Sequence, residues 1–343
     1  MKGLTEIPGI RVGHASDFSA LTGCTVVLCE GGAAGGVDAA GSATGAEELG
    51  ALDPGHVTPL VHAIVLAGGS AFGLEAASGV RRYLERQGVG FETGAARVPI
   101  VPCAILYDLG IGKANVRPTR EMGEAAAAAA TADAVKEGAV GAGTGATVGK
   151  IFGMRQAMKG GVGSACVALE GELAGVKVAA LAAVNAFGDV IDPKTGAIVA
   201  GARRGPDSRE FADTARVMKA GGRGGFARGN TTLVVVATNA RLSKVEARKL
   251  AQLGNLGLAR TINPVNTMLD GDIVFALSLG GERADVNALG VAAAEAVSQA
   301  VLRAVRMAPT MGGVLGLAGK LPIISGPRKA AQEAGHRLYP NIG

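Results

Sequence analysis

The chain has 343 residues, 48% hydrophobic and only 3% aromatic, with 55 glycines, no tryptophan and a formal net charge of +5. A chain of that length buries roughly 75% of its unfolded surface, and its hydrophobicity excludes disorder, so a core of Ala, Val, Leu and Ile with close backbone approaches is expected. The basic excess is spread over the chain, with a local cluster at Arg203, Arg204, Arg223 and Arg228, and lacks the interleaved aromatics of single-strand nucleic-acid binders, so no nucleic-acid partner is expected.

The opening segment, MKGLTEIPGIRVGH, carries no apolar run of the signal-peptide kind. A reducing cytoplasm follows as the expected setting, with Cys24, Cys29, Cys103 and Cys166 as free thiols, mostly buried. No CxxC pair and no histidine cluster accompanies them, so neither a metal nor another cofactor is expected. The first predicted strands are Cys24–Cys29 and Ala63–Leu66. The second falls within the longest uncharged run, Pro54–Leu74, which Pro59 and Gly68-Gly69 interrupt; no membrane helix is expected there. Helices are predicted over Gly73–Gln87 and Arg120–Lys136, then a strand at Val178–Val184. Strands Leu233–Ala237 and Ile273–Leu277 alternate with helices Lys244–Leu253 and Asp285–Met307. Ser243 and Glu246 fit a capping box for the first of these helices. Strict βαβ alternation is absent, which favours a layered sandwich of sheets and helices over a doubly wound fold. Glycine clusters at Gly31–Gly36, Gly68-Gly69, Gly138–Gly149, Gly160–Gly163 and Gly221–Gly225 read as tight turns and close packing.

Chemistry concentrates between residues 219 and 240. A glycine-rich basic stretch, Lys219–Gly229, has the composition of a flexible, cleavable connection. It runs into Asn230-Thr231-Thr232 and then the strand Leu233–Ala237. A cut before Thr231 would leave a threonine at a new N-terminus. Its hydroxyl is then the nucleophile, and its α-amine, with a reference pKa of about 7.7–8.0, is the base. The nucleotide motifs fail: GAGTGATVGKI has Thr144 where a P-loop needs glycine and Ile151 where it needs Ser or Thr. Gly141-x-Gly143-x-x-Ala146 is only a loose dinucleotide pattern, and no GxSxG elbow surrounds Ser70 or Ser164.

Four other places carry groups that could serve Thr231. Lys150, alone among small residues, is either a snorkelling surface residue or a site cation. Asn185, ending an apolar run, is either a turn former or an oxyanion donor. Asp270-Gly271-Asp272 is either a turn or a pair of carboxylates that orient the threonine. Tyr107 is either a half-buried core residue or a phenol that bonds substrate or oxyanion. Spacing alone does not bring these residues together.

Taken together, GIRVGHASD (9–17), TGCTVVL (22–28), LAGGSAFGLEAASGV (66–80), ATVGKI (146–151), VNAFGDVIDPKTGAIVAG (184–201), GNTTLVVVATNARLSK (229–244), GLAR (257–260) and DGDIVFAL (270–277) resemble the P1 family of peptidases. That family holds L-aminopeptidase/D-amidase-esterases, β-peptidyl aminopeptidases and nylon-oligomer endoamidases. The resemblance implies an αββα four-layer sandwich, akin to N-terminal-nucleophile hydrolases with its own connectivity. It implies one domain over 1–343, self-cleaved between Asn230 and Thr231 into an α-chain (1–230) and a β-chain (231–343). It implies a homo-oligomer, a tetramer of αβ units, acting on a small peptide or amide. Thr231 falls on the nucleophile, Lys150, Asn185, Asp270 and Asp272 on site positions of the nylon-hydrolysing branch, and Tyr107 on a tyrosine near its substrate. Two departures bear on substrate: Asn266 stands where relatives have histidine in PxHT, and the segment before GLAR, LGNL, also lacks one. A related rival is an ornithine acetyltransferase, which also self-cleaves before threonine; a non-enzymatic glycine-rich binding protein is the rival from another class. Which amide is cut, and whether from an end or internally, stays open.

Overall fold

A computed structural model describes residues 2–222 and 229–319. The centre of the expected cleavable connection, including Arg223 and Arg228, lies outside the described residues. In chain order the strands begin with β1 (Arg11–Asp17), β2 (Thr22–Ala39), β3 (Ala46–Glu47), β4 (Val61–Ala67), β5 (Phe91–Glu92), β6 (Arg97–Val98) and β7 (Cys103–Ile105). They continue with β8 (Thr147–Val148), β9 (Met158–Lys159), β10 (Gly161–Ala168), β11 (Lys177–Asn185), β12 (Asp189–Ile191) and β13 (Ile198–Ala200). The last are β14 (Thr231–Ala240), β15 (Ile262–Asn263) and β16 (Ile273–Glu282). The helices are α1 (Glu75–Arg86), α2 (Arg120–Ala128), α3 (Thr214–Lys219), α4 (Lys244–Thr261) and α5 (Val286–Arg306).

Strand β2 is 18 residues long and belongs to two sheets. Its first part pairs with β1 and β4, and its last part, Ala34–Ala39, pairs with β16. One sheet therefore runs β1-β2-β4-β7-β3, the other β10-β11-β14-β16-β2. Three apolar layers separate four layers of structure. Cys24, Val26, Ala63 and Val65 face α1 and α2. Val27, Ile64 and Leu66 meet Leu181, Val235 and Phe275 between the sheets. Val178, Val234 and Val274 pack under α4 and α5. This is the αββα sandwich, built as composition demands from small aliphatic residues. Helix α5 is long and apolar enough to cross a membrane by length and composition, but 72% of that apolar window is buried in the fold.

Where the elements differ from expectation, close packing is the reason. The glycines of 31–36 and 160–163 lie largely within β2 and beside or inside β10 instead of marking turns. A methyl group at Gly36 would fall 2.2 Å from the Arg248 nitrogen of α4. Helix α4 starts at its capping box, as predicted. It runs past Gly254 to Thr261, because Gly257 lets it lie against the Ala294 carbonyl of α5. Helix α2 stops at Ala128, well short of Lys136, because Thr131 exchanges backbone hydrogen bonds with Val12 of β1.

Candidate active site

The topology places the junction at one end of the second sheet. β11 is antiparallel to β14, so Asn185 at its end lies opposite Thr231 at the start of β14. β14 is parallel to β16, so the loop before β16, with Asp270 and Asp272, lies beside the same end. Lys150 comes from the turn after β8. That turn is tied to the segment after β11 by Gly149 N–H to Gly188 O (3.1 Å) and Lys150 N–H to Phe187 O (3.1 Å). Gly149 has φ +71°, and a methyl there would be 2.0 Å from the Ala202 nitrogen, so only glycine fits.

The intact Asn230–Thr231 bond is held on several sides. The Thr231 hydroxyl donates to the Asn230 carbonyl oxygen at 2.5 Å. The Gly271 backbone N–H donates to the same oxygen at 2.8 Å. Asn230 Nδ2 donates to Leu269 O at 3.2 Å. Asn185 is satisfied at both ends of its amide. Its Oδ1 accepts from Thr147 N–H (3.0 Å) and Lys150 Nζ (2.8 Å). Its Nδ2 is thereby turned towards Tyr107 O (3.0 Å) and Gly229 O (3.4 Å). Lys150 Nζ also reaches Asn185 O (2.9 Å) and Gly229 O (3.5 Å).

The carboxylates are equally constrained. Asp270 accepts from Thr267 through both N–H and hydroxyl, and from Phe187 N–H. Asp272 accepts from Thr232 N–H (2.5 Å) and Asn266 N–H (3.0 Å). Asn266 thus supports Asp272 through its backbone, in a left-handed conformation (φ +54°) that asparagine tolerates well. Thr231, Asn185, Lys150, Asp270 and Asp272 are each at most 5% exposed. Burial pushes both aspartates up, Asp272 to about 7 with Asp270 adding repulsion. Burial holds the Lys150 ammonium down to about 7, while Asp270 works in the opposite direction.

All six sequence-derived candidates therefore converge. Tyr107 does so by its backbone carbonyl and ring. A methyl at Gly229, where φ is +115°, would lie 2.3 Å from Tyr107 Cγ. Gly229→Ala should accordingly destabilise the intact chain by about 1–3 kcal/mol, measurable as a lower denaturation midpoint. Sequence reasoning missed the Gly271 and Thr147 N–H groups and Thr267. Backbone donors leave no residue-type signal, and Thr267 reads as an ordinary loop residue until Asp270 is placed beside it.

Comparisons with known proteins give the family and the fold. A model of peptidase family S58 matches residues 2–318. An uncharacterized aminopeptidase of Mycobacterium tuberculosis is 41% identical over 346 residues, covering 92% of this chain and 96% of its own. A 6-aminohexanoate-oligomer endohydrolase of Kocuria sp. is 33% identical over 325 residues, covering 88% and 85%. The L-aminopeptidase D-Ala-esterase/amidase of Ochrobactrum anthropi, described as a variant of the Ntn hydrolase fold, shares the fold with a TM-score of 0.70 at 18% identity, covering 90% and 87%. A Burkholderia sp. beta-aminopeptidase does so with 0.65 at 24% identity, covering 92% and 91%. Matched along nearly its whole length, the chain belongs to peptidase family S58 and is a hydrolase of peptide or amide bonds.

Proposed function

We propose that the chain cuts itself between Asn230 and Thr231 and then hydrolyses amides with Thr231 as an N-terminal nucleophile. The observation that carries this is the double hold on the Asn230 carbonyl oxygen, by the Thr231 hydroxyl and the Gly271 N–H. Rotation about the Thr231 Cα–Cβ bond turns the hydroxyl oxygen from the carbonyl oxygen to its carbon. Attack there develops an oxyanion, and Gly271 N–H already points at the atom that bears it. The C–N bond breaks, the nitrogen takes the proton that the hydroxyl loses, and Asn230 is left as an ester on Thr231. Water hydrolyses that ester to a carboxylate at Asn230 and a free hydroxyl at Thr231.

The second stage repeats the attack on an external amide. The α-amine of Thr231 takes the hydroxyl proton and passes it to the leaving amine, which leaves an acyl ester on the Thr231 oxygen; water then hydrolyses that ester to a free acid and restores the hydroxyl. Asn185 Nδ2 and Lys150 Nζ, both directed at Gly229 O in the intact chain, become free for the substrate once that segment departs. The junction peptide thus occupies the place of a substrate. Asp270 and Asp272 orient the new ammonium. The names of the relatives suggest either short peptide amides or 6-aminohexanoate oligomers as substrates.

Intact-mass analysis tests the first stage: two chains, residues 1–230 and 231–343, are expected, and a single chain defeats the reading. A panel of aminoacyl p-nitroanilides with a 6-aminohexanoate oligomer separates exo- from endo-action. Acetyl transfer from acetylornithine without amide hydrolysis would favour the acetyltransferase rival. Native mass spectrometry of the same sample reads the proposed assembly of αβ units.

A further inference from the structure

Lys159 is completely buried, the largest side chain so enclosed among the described residues, and it lies outside the motifs that mark the site. An ammonium has three protons to donate and accepts nothing. All three point to backbone carbonyls: Ala146 O at 2.7 Å, Thr144 O at 2.9 Å and Gly143 O at 3.5 Å. Among the described residues it has no carboxylate within ion-pair distance. A methionine would fill the same space without the desolvation cost of a buried charge. The charge therefore calls for a reason beyond packing.

The three carbonyls supply one. They belong to residues 143–146, which lead directly to Thr147, the cross-strand partner of Lys159. The Thr147 N–H, together with Lys150 Nζ, pins Asn185 Oδ1 and so turns Asn185 Nδ2 towards the junction. The far side of this turn is closed by Asp108, against which a methyl at Gly145 would fall at 2.6 Å. Asp108 is itself fixed by Thr22 Oγ1 and Gly69 N–H, both at 2.7 Å. We propose that Lys159 is a positioning residue: its ammonium gathers the carbonyls of 143–146 and thereby sets the orientation of the Asn185 amide at the reactive site.

The inference rests on the proposed self-cleavage, and it has an electrostatic corollary. The charged groups that act on Lys150 are Asp270, Lys159, Asp272 and Asp108. Lys159 is the one cation among them and pushes the Lys150 ammonium towards its neutral form. Asp108 is the group that acts on Lys159 itself. Removing the Lys159 charge therefore raises the affinity of Lys150 for its proton.

The test is a double-mutant cycle on the rate of junction cleavage in freshly purified precursor, using Lys159→Met, Asn185→Ala and both together. Loss of positioning should slow Lys159→Met by about 10–100-fold. In the Asn185→Ala background the same substitution should add less than about 2-fold, because the group being positioned is already gone. The alkaline limb of the cleavage profile should also move to higher pH in Lys159→Met. Losses that multiply, or a Lys159→Met rate equal to wild type, overturn the inference. A wild-type chain that never cleaves overturns the parent reading instead, and this one with it. Lys159→Gln keeps two donors in the cavity and supplies the same cycle should the methionine variant not fold.

Discussion

Thr231→Ala should purify as one continuous chain of 343 residues and hydrolyse no amide, with activity down by at least about 10⁴-fold. The size follows from the double role of one side chain. Without the hydroxyl there is no attack on Asn230, hence no free α-amine, hence no base for the second stage. The fold should survive, since the change removes one hydroxyl and one methyl at the head of β14 while the β14 pairings with β11 and β16 remain. Thr231→Ser keeps the hydroxyl and should still cleave. A protein that merely binds through its glycine-rich surface predicts the same single chain for wild type and variant. An active, uncleaved Thr231→Ala would transfer the chemistry to another residue and end the Thr231 proposal.

Much of this site was legible in the sequence because its side chains stand out from their surroundings. Lys150 is a lone cation among glycines and aliphatics, and Asp270 and Asp272 directly precede an apolar strand. What spacing could not show was that they meet. That needs the antiparallel register of β11 with β14 and the parallel register of β14 with β16, which are properties of non-local pairing. The fold was legible in its long elements and not in its glycine-rich ones. The segment EGGAAGGVDA reads as a turn by local rules, yet it forms the end of β2 because α4 must approach the backbone there. Lys159 was invisible for a related reason. In MKGG it looks like any surface lysine, and only its burial beneath the 143–147 turn distinguishes it.

The intact chain should also show a stability trough near pH 7 to which the site contributes from both the acid and the alkaline side. Three buried carboxylates, Asp108, Asp270 and Asp272, share it with two buried ammoniums, Lys150 and Lys159. Burial raises Asp272 from 3.8 to about 7, so its contribution is whole below pH 4 and is lost as pH rises to about 7. Asp108 and Asp270 move in the same direction. Lys150 and Lys159 are lowered from 10.5 to about 7, so their contribution is whole above that ordinary value and is lost as pH falls to about 7. The two losses therefore overlap near neutrality, on the order of a few kcal/mol each for Asp272, Lys150 and Lys159. Urea denaturation of Thr231→Ala with and without Asp272→Asn isolates the acid side. The asparagine variant should gain on its parent steadily from pH 4 to 7 and hold a constant difference above. A difference that does not vary with pH would mean that Asp272 is ionised throughout. The proposed cleavage would change the balance: it would place an α-ammonium at Thr231, one residue from the N–H that Asp272 accepts. With the new Asn230 carboxylate carried off on its departing segment, three buried cations then face three carboxylates, so the processed protein should show a shallower trough than Thr231→Ala.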